Sequence, residues 1–156
     1  MQYPIKDVEK EFFRRTFELV RTWKKQTPYE VTFLINCLYG IIIVAQTNFY
    51  KSLNFNLSNN IKGIIYKKNG IEIEIKKIDL QSLLTVFRNS LSHYGDQRIG
   101  YNNGENNIKL TNDGINIEKI IFNNKNARVE LEFQSSTALF NFICELEKEF
   151  KNKGII

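Results

Sequence analysis

The most regular hydrophobic pattern in the chain lies between residues 79 and 95. Leu80, Leu83, Leu84, Phe87 and Leu91 recur at i, i+3, i+4, i+7 and i+11, which is one apolar stripe of a helix. Asp79 suits the N-cap, because its carboxylate can accept from the first free backbone N–H groups, and Gly95 suits the left-handed residue beyond the end. Upstream, a first helix is predicted over residues 5–25, after Pro4. It carries Val8, Phe12, Leu19, Val20 and Trp23 on one side, with Phe13 and Phe17 widening that side. A second helix over residues 28–52 opens on Thr27-Pro28-Tyr29-Glu30, a capping box with proline at the first helical position.

This second helix is apolar nearly all round, at Val31, Phe33, Leu34, Ile35, Leu38 and 41–44, so other elements are expected to cover it on several sides. Gly40 is expected to mark the close approach of a neighbouring helix, and Asn36 to be a hydrogen-bonded amide inside the core. No charge falls between Val31 and Tyr50, a length that could span a bilayer. Thr32, Asn36, Gln46, Thr47 and Asn48 interrupt it, so a buried core helix and no membrane partner are expected.

Period-two patterns follow. Residues 61–77 predict a β-hairpin, with Ile64 to Tyr66 before the turn Lys68-Asn69-Gly70 and Ile71, Ile73 and Ile75 alternating with Glu72, Glu74 and Lys76. After the 79–95 helix, residues 100–107 are rich in glycine and asparagine without a packing signal. Strands are predicted at 107–110, 115–122 and 127–133, with turns at 112–114 and 123–126. A last helix, 136–151, carries Leu139, Phe142, Ile143, Leu146 and Phe150 on one face. The expected fold is mainly α, a helical bundle with small antiparallel β elements, in one domain over residues 1–156.

Composition adds a few bounds. With 42% apolar and 13% aromatic residues among 156, the chain can build a core. A net charge of +5 favours an anionic partner. Arg14, Arg15, Arg21, Lys24 and Lys25 line the first helix, either as a solvated face, which is preferred, or as a nucleic-acid contact. Cys37 and Cys144 lie far apart in apolar helical patterns and are expected to be small buried hydrophobes in a reducing compartment. Residues 1–12 carry charges and no apolar leader, so a cytoplasmic location is expected.

Candidate chemistry is sparse. One histidine, two distant cysteines and the absence of any His-Glu-x-x-His or EF-hand spacing argue against a metal site, and no cofactor is expected. No nucleophile elbow is present. What remains is Arg88, Asn89 and His93 near the end of the 79–95 helix. Asn89 and His93 are one turn apart on the same face, with Arg88 on its flank. Imidazole can move a proton near neutral pH, guanidinium can hold a phosphate through two parallel hydrogen bonds, and an amide can orient either. The set suits RNA cleavage by the substrate's own 2′-hydroxyl. The alternative is structural: a histidine at a helix C-terminus interacts favourably with the helix dipole, for about 0.3–1 kcal/mol.

The run Arg88-Asn89-Ser90-Leu91-Ser92-His93 resembles the signature of HEPN (higher eukaryotes and prokaryotes nucleotide-binding) domains: Arg, a polar residue, a short spacer, then His. Residues 12–16 (Phe-Phe-Arg-Arg-Thr) and 29–38 (Tyr-Glu-Val-Thr-Phe-Leu-Ile-Asn-Cys-Leu) further resemble a bacterial subfamily carried on plasmids and chromosomes. The resemblance covers about residues 11–94. It implies a helical bundle that pairs as a homodimer, with the two motifs meeting at a cleft. It also implies a metal-independent endoribonuclease in a toxin–antitoxin, phage-defence or growth-control setting, with an RNA substrate and an antitoxin as candidate partner protein. Arg88 and His93 would be catalytic and Asn89 supportive. In the toxin–antitoxin subtype a tyrosine two residues after the histidine is modified by the partner; here Tyr94 follows His93 directly and the next comparable polar residue is Gln97, so the resemblance does not carry that regulation over. The alternatives within the resemblance are a non-catalytic RNA- or nucleotide-binding module and a dimerisation domain.

Overall fold

The computed structural model describes residues 7–22, 30–92, 106–112, 117–124 and 127–156. Among these are four α-helices: α1 (Val8–Thr22), α2 (Glu30–Asn48), α3 (Leu80–Ser92) and α4 (Ser136–Asn152). Five strands, β1 (Ile64–Lys68), β2 (Ile71–Ile73), β3 (Asn106–Asn112), β4 (Ile117–Asn124) and β5 (Val129–Phe133), form one antiparallel sheet in the order β2-β1-β5-β4-β3. The mainly helical expectation with added antiparallel elements therefore holds, and the β pieces fuse into a single sheet. The predicted capping box at Thr27 and the turn at Asp113-Gly114 lie outside the described residues.

The sheet has a helix-facing side and an outer side, as period-two alternation dictates. Tyr66, Ile120, Phe122, Val129, Leu131 and Phe133 are buried on the helix side. The β1–β2 hairpin turns at Asn69 and Gly70, both at positive φ (52° and 77°), the backbone that an Asn-Gly two-residue turn supplies without strain. Residues between β2 and α3 do not continue the strand: Ile75–Lys77 is a short 3-10 helix that buries Ile75.

α3 begins as its sequence dictates. Asp79 Oδ1 accepts from the Ser82 backbone N–H at 2.9 Å and Oδ2 from its hydroxyl at 2.6 Å, so the N-cap satisfies a free helix donor. Leu80, Leu83, Leu84 and Phe87 are fully buried. The Phe87 ring lies 4.7 Å from Phe122, 5.3 Å from Phe142 and 5.8 Å from Phe133, joining α3, β4, α4 and β5. A second aromatic group, Phe13 and Phe17 against Phe150, docks α1 on α4 at 5.2 and 5.9 Å. This docking sets the rotation of α1. Of the side predicted there, Val20 is fully buried and Phe12 packs against the core, while Val8 and Leu19 are turned outward, at 42% and 51% exposure, because the large rings of Phe13 and Phe17 take the core.

α2 packs against α1, α3 and α4. It is long and apolar enough to cross a membrane by length and composition, yet Leu34, Leu38, Ile41, Ile42 and Ala45 are all fully buried in the core. Gly40 does mark a close approach, since a Cβ there would stand 3.0 Å from the tip of the Phe12 ring. Asn36 departs from expectation: it is exposed, on the one face of α2 that no described element covers. The helix also stops at Asn48 rather than 52. Phe49 N–H still donates to Ala45 O, then the chain tightens into a 3-10 turn at Tyr50–Leu53 that buries Leu53. α4 is capped by Ser135, whose hydroxyl accepts from Ala138 N–H at 3.1 Å. Its Glu149 accepts from Ser58 N–H at 3.0 Å, which ties the Asn-rich connection after α2 to the core.

Between α2 and α3, the Thr85 hydroxyl donates to Gln81 O at 2.8 Å, so it can only accept from Gln46 Nε2, at 3.3 Å. That fixes the amide and leaves Gln46 Oε1 buried without a partner among the described residues. A buried unpaired acceptor costs about 1–3 kcal/mol. Two outcomes follow for urea denaturation. Phe87→Ala should lower stability by about 3–5 kcal/mol, the range for deleting a fully buried ring. Gln46→Leu should leave stability unchanged or raise it by up to about 1 kcal/mol, because the gain from losing the orphan offsets one long hydrogen bond; a large loss would mean that Oε1 is satisfied in solution.

Candidate functional site

Arg88 and Asn89 lie side by side near the C-terminal end of α3. Arg88 is exposed and Asn89 half-buried. The stripe of Leu80, Leu83, Leu84 and Phe87 points the helix into the core, which leaves Arg88 at the surface. Among the described residues Arg88 makes no hydrogen bond or ion pair. The arginines of α1 behave differently. Arg14 pairs with Glu11 at 2.7 Å and Glu18 at 3.2 Å, Arg15 pairs with Glu11, and Arg21 pairs with Glu147, which Lys151 also contacts at 2.9 Å. The hydrogen bond from Arg14, then that from Arg15, holds the Glu11 carboxyl down at about 2. The described part of the predicted basic flank is thus tied to carboxylates of the same fold, in keeping with a solvated face. Lys24 and Lys25 lie outside the described residues, as do His93, Tyr94 and Gln97.

The seat of Arg88 is built by a residue that the sequence pattern counts only as spacer. Ser90 is fully buried; its hydroxyl reaches Val86 O at 2.8 Å and Asn123 O of β4 at 3.3 Å. A small side chain is what allows the last turns of α3 to lie against β4. The only signal for this in the sequence is a serine at a position where the helix turns toward the sheet. On the α2 side, the Gln46–Thr85 bond holds the turn just before Arg88. The carbonyl end of α3 is the negative end of the helix dipole, so a cation at Arg88 is favoured there.

Neither cysteine is prepared for nucleophilic work. Burial pushes the Cys37 thiol up to about 11, and burial first and then Glu147 raise that of Cys144. Among the described residues no three His, Cys, Asp or Glu side chains gather in a way that could hold a metal ion.

A helical core laid on an antiparallel sheet, with an exposed Arg88 and a half-buried Asn89 near the end of the third helix, is the setting of the HEPN signature in this chain. The chain belongs to the family described as HEPN pEK499 p136, which matches residues 1–153. No curated protein and no solved structure matches it. Membership points to a nucleotide- or RNA-related function; HEPN domains commonly pair as dimers and bind RNA.

Ser90 gives this arrangement a test. Ser90→Ala should lower stability by about 1 kcal/mol, the net worth of one buried hydrogen bond. Ser90→Leu should cost about 1–3 kcal/mol or more through overpacking against β4. Thermal or urea unfolding of the two variants reads the difference; equal, negligible effects would show that α3 is not held on the strand through this residue.

Proposed function

We propose that the chain is a metal-independent HEPN endoribonuclease working as a homodimer, with Arg88, Asn89 and His93 at the reacting phosphate. The observation that carries the reading is an exposed Arg88 on α3 that makes no ion pair among the described residues, whereas the arginines of α1 are paired with glutamates. His93 would take the proton from the 2′-hydroxyl of the RNA. The freed oxygen attacks the adjacent phosphorus, and the bond to the 5′-oxygen of the next nucleotide breaks, leaving a 2′,3′-cyclic phosphate and a 5′-hydroxyl. Arg88 would stabilise the negative charge that builds on the phosphoryl oxygens, and Asn89 would orient a phosphate oxygen or the imidazole. The leaving oxygen takes up a proton from an acid or water at the cleft.

Pairing is supported by α2. Its open face is uncharged and includes Ile43 at 38% exposure beside Asn36 and Thr47. A second copy on that face would cover it. The setting in this reading is cytoplasmic RNA control, in defence or growth arrest, with an antitoxin as a protein partner.

The test uses purified protein and total RNA in EDTA. Cleavage to cyclic-phosphate ends is expected, with His93→Ala slower by about 10²–10⁴-fold, the range for a positioned acid–base group. Arg88→Ala should reduce both rate and RNA affinity, since it removes a charge held against phosphate. RNA binding without cleavage by the wild type would favour a non-catalytic binding module. Variants that act like the wild type on RNA but melt lower or dissociate would make Arg88 and His93 interface residues.

A further inference from the structure

The outer side of the sheet carries a cavity of about 270 Å³, lined by Lys67, Gly70, Asn123, Arg128, Val129 and Glu130. It lies where two turns meet. Asn69 N–H of the β1–β2 turn donates to Arg128 O at 2.9 Å, and Asn124 Oδ1 accepts from Ala127 N–H at 3.3 Å. These bonds hold Arg128 in left-handed backbone, φ 53°, a conformation uncommon for a long side chain.

The chemistry of the lining is specific. Asn123, Glu130 and Lys67 stand in one cross-strand row, Asn123 opposite Glu130 and Glu130 opposite Lys67. Directly opposed opposite charges usually pair. Here Lys67, Glu130 and Arg128 make no ion pair among the described residues. Asn123 is 7% exposed, and its side chain makes no hydrogen bond among the described residues. Two free cations suit a phosphate. A bare anion would still meet the Glu130 carboxylate, so the ligand needs hydrogen-bond donors as well. An amide can read a base edge, and a carboxylate can accept from an exocyclic amine. In the larger groove between α1 and α4, about 470 Å³, Arg14, Arg21 and Lys151 are spent on Glu11 and Glu147, and of its lining cations Lys10 alone makes no ion pair among the described residues.

We propose that this cavity holds one nucleotide, its phosphate on Lys67 and Arg128 and an amino-bearing base on Asn123 and Glu130. The cavity lies across β4 from the end of α3, whose Ser90 contacts the Asn123 backbone carbonyl from the helix side. The proposal rests on the RNA reading for the source of the nucleotide.

Two probes separate an RNA strand from a free nucleotide: 2′-O-methyl oligoadenylate, which lacks the attacking hydroxyl, and AMP. Each is titrated into the whole chain at low salt, by fluorescence anisotropy and by amide chemical shifts respectively. AMP is expected to shift the amides of Gly70, Asn123 and Arg128. Lys67→Gln with Arg128→Asn, asparagine being tolerant of left-handed backbone, should weaken both probes about tenfold with an unchanged melting temperature. Glu130→Ala should shrink the preference for oligoadenylate over oligouridylate, and this variant carries the test if the double change fails to fold. Unchanged binding of both probes by the double variant, or no AMP shifts at the cavity, overturns the proposal. Oligoadenylate binding that falls with Arg88→Ala alone overturns the cavity and keeps the RNA reading. AMP binding at the cavity without oligonucleotide binding keeps the cavity and overturns the RNA reading.

Discussion

The ring of Phe87 is the contact on which the rest of the molecule hangs. It meets aromatic rings from β4, β5 and α4 at 4.7–5.8 Å, so one side chain of α3 locks the helical layer to the sheet. Offset and edge-on aromatic pairs of this kind add about 0.5–1.5 kcal/mol each beyond their buried area. Arg88 is the next residue along. Its exposure follows from the burial of its neighbour, because a helix that commits Phe87 to the core turns the following position about 100° away. Position and chemistry are therefore coupled through adjacent residues.

Charge is distributed with a similar economy. Helix α4 carries two nearly buried carboxylates, and each has a defined duty. Glu147 draws in Arg21 and Lys151, while Glu149 receives a backbone N–H from the connection after α2. On α1, Arg14 and Arg15 are held by glutamates of the same helix, and Arg21 reaches across to Glu147 of α4. The cations at Arg88, Lys67 and Arg128 sit on other elements and have no such task among the described residues. A net charge of +5 says nothing of this division; only the pairing of particular side chains separates structural cations from available ones.

Local signals were readable from the sequence, and relations across long separations were not. Asp79 announces the start of α3 and Asn69-Gly70 announces the first hairpin, because each acts on backbone groups within three residues. The alternation of Val129, Leu131 and Phe133 gives the inner side of β5 correctly. That β1 pairs with β5 is invisible locally, since nothing in either strand names its partner. Asn123 and Asn124 read as turn formers but extend β4, with Asn124 bonding the turn from the strand's end. The face of α1 was blurred because Val8, Phe12, Phe13, Phe17 and Leu19 spread apolar groups round the helix, and ring size decided the rotation. At the site, Arg88 and Asn89 were legible as polar residues beside an apolar stripe. The buried duty of Ser90 was not, because a serine reveals its partner only when the strand arrives.

The place of β5 in the sheet has a consequence for the order of events on the ribosome. Residues 64–73 emerge as one hairpin, and β3 and β4 as another pair, yet these two halves share no edge. β5 lies between them and joins both, at residues 129–133. Until it is synthesised, the Phe87 side of α3 has no completed sheet to rest on, and α4, which closes the other side, comes later still. Such non-local closure is slow to form and leaves apolar helices uncovered in the meantime. A chain interrupted before its last quarter thus contains the whole Arg-to-His motif and lacks the scaffold that seats it.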